Sequence, residues 1–181
     1  MSGPTPSGPV SGPTPGEPLR PFTKPMPDRD SAPWWEAVRR HELLLQRCAR
    51  CAALRFPPRA VCNSCQSREA TWVPAAGTAI VQSWIVTHHV FMRSAADAVP
   101  YVVALVRLDD GDDLLMYGNI VTTDDEGKVI AADPRTITAG MPVEAVFTDL
   151  VDGCTLVQWR AKRSAPPGAG RAVQGRTGRT E

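Results

Sequence analysis

Four of the five cysteines in this chain fall within eighteen residues, "CARCAALRFPPRAVCNSC", as two Cys-x-x-Cys pairs: Cys48 with Cys51 and Cys62 with Cys65. A Cys-x-x-Cys turn points two thiolates at one ion, and two such turns ten residues apart can close a tetrahedral Cys₄ zinc site. The intervening "AALRFPPRAV" has room for a ribbon strand and its return, with Pro57-Pro58 setting an extended bend. A thioredoxin-like redox pair is disfavoured because no βαβ pattern surrounds either motif, and iron–sulfur ligation by the symmetric two-knuckle layout. Four protein ligands leave no open position for water or substrate, so the expected metal, one zinc per chain, is structural rather than catalytic. Four thiolates around Zn²⁺ carry a net formal charge of −2. Arg47, Arg50, Arg55, Arg59 and Arg68 lie close enough in sequence to offset it, and phosphate binding by some of them is the functional alternative.

The remaining sequence divides into three physical regimes. Residues 1–30 alternate proline and glycine with serine and threonine and offer almost nothing apolar to bury, which predicts a disordered tail. Residues 164–181 read as a second flexible tail, carrying Arg171, Arg176 and Arg179. Between them, residues 31–75 read as a helix and zinc ribbon, and 76–163 as a β domain. "SAPWWEAVRRHELLLQR" predicts a helix capped by Ser31, with Pro33 in its first turn and Trp34, Trp35 and Val38 on one side. Two adjacent tryptophans cannot both face one core on a short helix. Either one packs inward while the other covers the ribbon, or Trp34 and Trp35 form a partner-docking face. Leu43–Arg47 is too short for a buried helix and predicts a strand running into Cys48.

From Gly77 onward the pattern is strand: "GTAIVQSWIVTHH", "YVVALVRL", "LLMYGNIV", "MPVEAVFTDL" and "TLVQWRA", with "TTDDEGKVIAADPRTITAG" as a long connection after the third. Five strands with that connection match a small OB-type Greek-key barrel, while the count alone also permits an SH3-like barrel or a sandwich. Cys154 stands alone on a strand as a buried inert thiol, and Asp124, Asp125 and Glu126 read as a solvated turn. No Gly-rich phosphate loop, HExxH, Ser-His-Asp order or nucleophile elbow is present, so the chain does not assemble an active site by itself. With a formal net charge of +1 and no apolar run long enough to span a bilayer, neither nucleic acid nor membrane is an expected partner, and a cytoplasmic location is the default.

"WWEAVRRHELLLQRCARCAALRFPPRAVCNSC" followed by "GTAIVQSWIVTHH", "PYVVALVRLDDG" and "ITAGMPVEAVF" resembles the acyl-CoA-associated zinc-ribbon and OB-fold proteins described as domain of unknown function 35. The resemblance covers about Pro33 to Arg160. It implies a mainly β chain in which an N-terminal helix and rubredoxin-like zinc ribbon precede a five-stranded OB-fold barrel. It also implies an accessory subunit of a thiolase-superfamily enzyme, a thiolase or a thiolase-like retro-aldolase of steroid side-chain degradation, in a hetero-oligomer such as a heterotetramer. Other members accompany MaoC-type enoyl-CoA hydratases. On that pattern His88, His89, Phe91, Tyr101 and Asn119 are candidates to line an acyl-CoA passage, and Arg55, Arg59 and Arg93 are candidates for CoA phosphates. "MYGNIV" and the enlarged third connection depart from the usual members. The rival from another class is a single-stranded nucleic-acid binder, since both modules serve that role elsewhere. The near-neutral charge argues against it, as do barrel aromatics limited to Trp84, Tyr101, Tyr117, Phe147 and Trp159.

Overall fold

The computed structural model describes residues 25–90, 99–150 and 153–162. The predicted tails lie outside the described residues except for 25–30, where Asp28 is bonded to Ser31 and a turn at 29–31 begins the fold earlier than the expected boundary. Helix α1 (Ala32–Arg39) forms where expected, with Pro33 in its first turn. Its entry differs from the expectation, because Ser31 is itself helical and makes no side-chain cap. Asp28 does that work instead. Its carboxylate accepts from the Ser31 N–H at 2.8 Å, while the Asp28 N–H donates to the Ser31 hydroxyl at 3.1 Å. This is a reciprocal box of the capping-box kind, one turn upstream of the predicted position. The helix buries Trp34, Ala37 and Val38, the i, i+3, i+4 stripe of an amphipathic helix.

The first sheet is three-stranded and antiparallel in the order β2-β1-β3: β1 (Leu44–Cys48), β2 (Leu54–Arg55) and β3 (Ala70–Pro74). Gln46 on the central strand stands opposite Arg55 on one side and Trp72 on the other. Ala75 to Gly77 then lead into a second sheet. It comprises β4 (Thr78–Thr87), β5 (Tyr101–Leu108), β6 (Leu115–Gly118), β7 (Ile120–Thr123), β8 (Val129–Ala131), β9 (Pro142–Asp149) and β10 (Thr155–Ala161).

Its order is β6-β5-β4-β9-β10-β7-β8, antiparallel except where β7 runs parallel to β10. Since β6, at one end of this order, runs directly on into β7, which flanks β10, the order returns on itself and the sheet closes, with β8 as an added edge strand on β7. That closure, with a parallel contact between the third and last barrel strands, is the OB-type arrangement rather than an SH3-like barrel or a sandwich. Two details refine the five-strand reading. The third strand is broken at Gly118–Asn119, and the long connection holds the short strand β8 and a 3₁₀ turn, Pro134–Thr136. At the break the chain leaves β5 for β10. The Asn119 amide donates to the Val102 carbonyl at 2.7 Å, while its own carbonyl accepts from the Trp159 N–H at 2.9 Å.

Helix, ribbon and barrel share one apolar core. Trp34, Val38, Leu43 and Leu45 belong to the same buried cluster as Val81, Ala104, Val106, Val143 and Trp159. At the residue level β5 alternates strictly, with Val102, Ala104, Val106 and Leu108 buried and the intervening side chains half-exposed. No helix of the described residues is long and apolar enough to cross a membrane.

Candidate functional site

The two Cys-x-x-Cys turns are built alike. In the first, the Ala52 N–H donates to the Cys48 carbonyl at 3.0 Å and the Cys48 N–H to the Ala53 carbonyl at 3.0 Å. In the second, the Gln66 N–H donates to the Cys62 carbonyl at 3.0 Å and the Cys62 N–H to the Ser67 carbonyl at 2.9 Å. The residue after each second cysteine is left-handed, Ala52 at φ 60° and Gln66 at φ 61°. That conformation turns each knuckle back on itself at a cost of about 1 kcal/mol for a residue with a Cβ. All four sulfurs lie within 4.8 Å of one another, with Cys48 Sγ 3.5 Å from Cys65 Sγ and Cys51 Sγ 3.7 Å from Cys62 Sγ. A tetrahedral zinc with Zn–S bonds of about 2.3 Å needs sulfur–sulfur edges of about 3.8 Å, so the donor set fits that ion.

The electrostatics of the cluster call for a cation. Backbone N–H groups of Cys51 and then Arg50 favour the Cys48 thiolate and bring its pKa down to about 6. Cys62 is lowered in the same way by the N–H groups of Cys65 and Ser64. For Cys65 the Ser67 N–H also pulls downward, but partial removal from water and the three neighbouring sulfurs outweigh it and push the thiol up to about 11. Four thiolates at these separations therefore coexist at neutral pH only around a positive ion. With every ligand position taken by protein, such an ion would hold the ribbon together and leave no position for substrate.

The other predicted residues do not form one cluster. His88 and His89 follow the end of β4 and are exposed, and Tyr101 opposes Thr87 at that same end of the β4–β5 pair. Phe91 and Arg93 lie outside the described residues. Asn119 is half-buried at the strand break. Arg55 and Arg59 instead line a cavity of about 530 Å³ with Asp110, Asp112 and Asp113, which follow the opposite end of β5. The eight residues of β5 separate the two ends by roughly 23 Å, seven steps of about 3.3 Å. Arg59 is exposed, whereas Arg55 is buried. Of the two tryptophans considered for docking, Trp34 is buried inside this chain at 7% exposure. It sits edge-on to Trp35 at 4.8 Å and tilted to Phe56 at 5.6 Å, and only the half-buried Trp35 keeps a face outward.

Two features had no sequence signal. His41, at the end of α1, places Nε2 3.1 Å from both Asp149 carboxylate oxygens and stacks on Phe147 at 5.3 Å. Asp149 also accepts from the Thr155 hydroxyl at 2.7 Å, and these contacts, Thr155 first and His41 next, hold its carboxyl below the usual range. The acidic wall of the cavity was legible only as a turn, "LDDGDD", because nothing local tells a turn that it faces a ribbon.

Comparison with known proteins bears on the whole arrangement. Residues 35–70 match the family described as "ChsH2, rubredoxin-like zinc ribbon domain" and residues 72–148 that described as "ChsH2, C-terminal OB-fold domain". A solved structure titled "Ltp2-ChsH2(DUF35) aldolase" contains a chain 36% identical, with a TM-score of 0.65, over 76% of this chain and 98% of that one. The "Probable enoyl-CoA hydratase alpha subunit" of Thermomonospora curvata is 41% identical over 125 residues, which is 69% of this chain and 34% of that protein. The "3-oxo-4,17-pregnadiene-20-carboxyl-CoA hydratase alpha subunit" of Mycobacterium tuberculosis is 34% identical over 129 residues, 71% of this chain and 37% of that protein. This chain thus spans about a third of the length of these two relatives. Cysteine knuckles, closed barrel and a likeness over 98% of the solved chain together make this chain a member of the ChsH2-type DUF35 family, a zinc ribbon followed by an OB-fold domain.

Proposed function

We propose that this protein is an accessory subunit that binds a thiolase-superfamily enzyme, a thiolase or a retro-aldolase acting on steroid side chains, and helps to bind or pass its acyl-CoA. The observation that carries this reading is the likeness over 98% of a chain taken from an aldolase complex. The closed sulfur cluster supports it, since a saturated ligand set suits one structural zinc per chain and not catalysis. So does the outer face of β4–β6. There Ile85 is 64% and Tyr117 72% exposed, and each opposes a half-exposed apolar residue on β5, Val103 and Leu105 respectively. Exposed apolar surface of this kind suits a protein contact. On this reading His88, His89 and Tyr101 serve the acyl-CoA passage at one end of the β4–β5 pair.

A second reading, partnership with a MaoC-type hydratase, rests on the names of the two hydratase relatives. Affinity purification of the full chain from its own organism, with mass identification of what stays bound in 0.5 M salt (a value on the order of several-fold screening), separates the two. A thiolase-superfamily subunit is the expected companion, and a hydratase the outcome of the second reading. Salt-sensitive binding to single-stranded DNA with no protein companion overturns both. In the recovered complex, His88→Ala is expected to lower turnover and leave assembly intact, and unchanged turnover rejects the passage.

A further inference from the structure

The strongest unexplained feature outside the sulfur cluster is Arg55. It is 6% exposed, and its guanidinium nitrogens, Nε, Nη1 and Nη2, are shut off from solvent and have no hydrogen-bond partner among the described residues. A guanidinium cannot shed its charge, so a buried one without an acceptor awaits something that supplies it. Arg55 lines the cavity between the ribbon and the turn that links β5 to β6, together with Arg59. The opposite wall is acidic. Asp110 accepts from the Ala76 N–H at 3.0 Å and Asp112 pairs with Arg107 at 2.8 Å, while Asp113 has no partner among the described residues.

We propose that this cavity is a socket for a partner protein's acidic side chain with a basic side chain beside it, as on a helix carrying Glu and Lys four residues apart. The carboxylate pairs first with the exposed Arg59 and draws out the fork of Arg55, which solvent does not reach in the free chain, in the bidentate geometry that suits these two groups. The neighbouring cation meets Asp113. The facing walls decide against a free phosphate or a polyanionic ligand, because either would bring its second charge against three aspartates. A protein segment carries both signs at the needed spacing, and a buried arginine in a cavity is a frequent interface anchor. The inference rests on the reading of the chain as a docking subunit and names the chemistry of the dock. It also moves Arg55 and Arg59 from CoA phosphates to the partner.

The test follows the Arg55 Nε–H resonance by NMR in the zinc-loaded full chain. Four probes are titrated: a helical peptide with Glu and Lys four residues apart, the same peptide with Glu at both positions, inorganic phosphate, and acetate. The Glu–Lys peptide is expected to move the Arg55 signal to saturation, at least about tenfold more tightly than the others, the size of one charge contact worth about 1.4 kcal/mol. Asp113→Lys, at an exposed position that leaves the fold intact, is expected to reverse the preference toward the Glu–Glu peptide. Phosphate or the Glu–Glu peptide binding the unaltered chain as tightly makes this a general oxyanion site and overturns the proposal. An Arg55 signal that moves with no probe overturns it as well, and assigns Arg55 to balancing the cluster charge. Neither result depends on companion recovery, so failure of the socket and failure of the docking reading are told apart.

Discussion

Gly118 has no room for a side chain. A Cβ there would stand 2.7 Å from Trp159 Cδ1 and 2.8 Å from Nε1, and that indole is fully buried. Gly118→Ala should therefore cost about 1–3 kcal/mol as an overpacked site, read as a lower denaturant midpoint with an unchanged slope. At the sulfur cluster, Cys51→Ser or Cys62→Ser removes one of four ligands. The expected outcome is loss of about one bound zinc per chain and of the folded ribbon, since the binding energy of a structural zinc is folding energy. Metal analysis beside thermal melting checks it, and a metal-free chain of unchanged stability would refute it. The cysteine spacing made these residues legible without any structure. Gly118 was not, because nothing in "MYGNIV" says that an indole forty residues later will lie against it.

Among the elements, α1 is joined to the barrel by His41 and Asp149, residues 108 apart in sequence. The Asp149 carboxyl is held below its ordinary value, first by the Thr155 hydroxyl and then by His41. A depressed carboxyl stabilises the fold above its unfolded value of about 4, and that stabilisation is lost as the pH falls through the lower folded value. Replacing Asp149 by Asn should lower stability at neutral pH, where the carboxylate contributes, and flatten the acid limb below about pH 4, so that the two profiles converge at low pH. An acid limb identical to that of the unaltered chain would show that the link does not contribute. The Asp28–Ser31 box is a second local device: Asp28→Ala should lower stability, measurable as a lower urea midpoint. The helix itself was legible from Pro33 and the tryptophans, but its cap was assigned to Ser31, because Ser before Ala-Pro satisfies the local rule equally well. Only the path of the preceding turn puts Asp28 within reach.

At the scale of the whole molecule, ribbon and barrel are not independent. Trp34, Leu43 and Leu45 lie in one buried cluster with Val106, Val143 and Trp159, so the ribbon cannot melt without uncovering barrel core. Zinc removal by a chelator should lower the unfolding temperature of the chain in a single transition, followed together by tryptophan fluorescence and far-UV circular dichroism. Two separated transitions would mean that the barrel stands alone.

The sequence by itself determined whatever depends on near neighbours. The knuckles, the strand positions of β4, β5, β9 and β10, and the kinship carried by "RFPPRAVC" all rest on residue spacing, and spacing is local. Tertiary structure decided what depends on how distant segments meet. The third barrel strand breaks because its two halves pair with different strands, β5 and then β10. Arg55 and Arg59, the candidates for CoA phosphates, lie at the opposite end of β5 from His88, His89 and Tyr101 for a related reason, that an extended strand carries its two ends apart. The arginine of "RFPP" became a buried, unpartnered charge facing aspartates more than fifty residues away, an opposition that only the packing of ribbon against barrel creates.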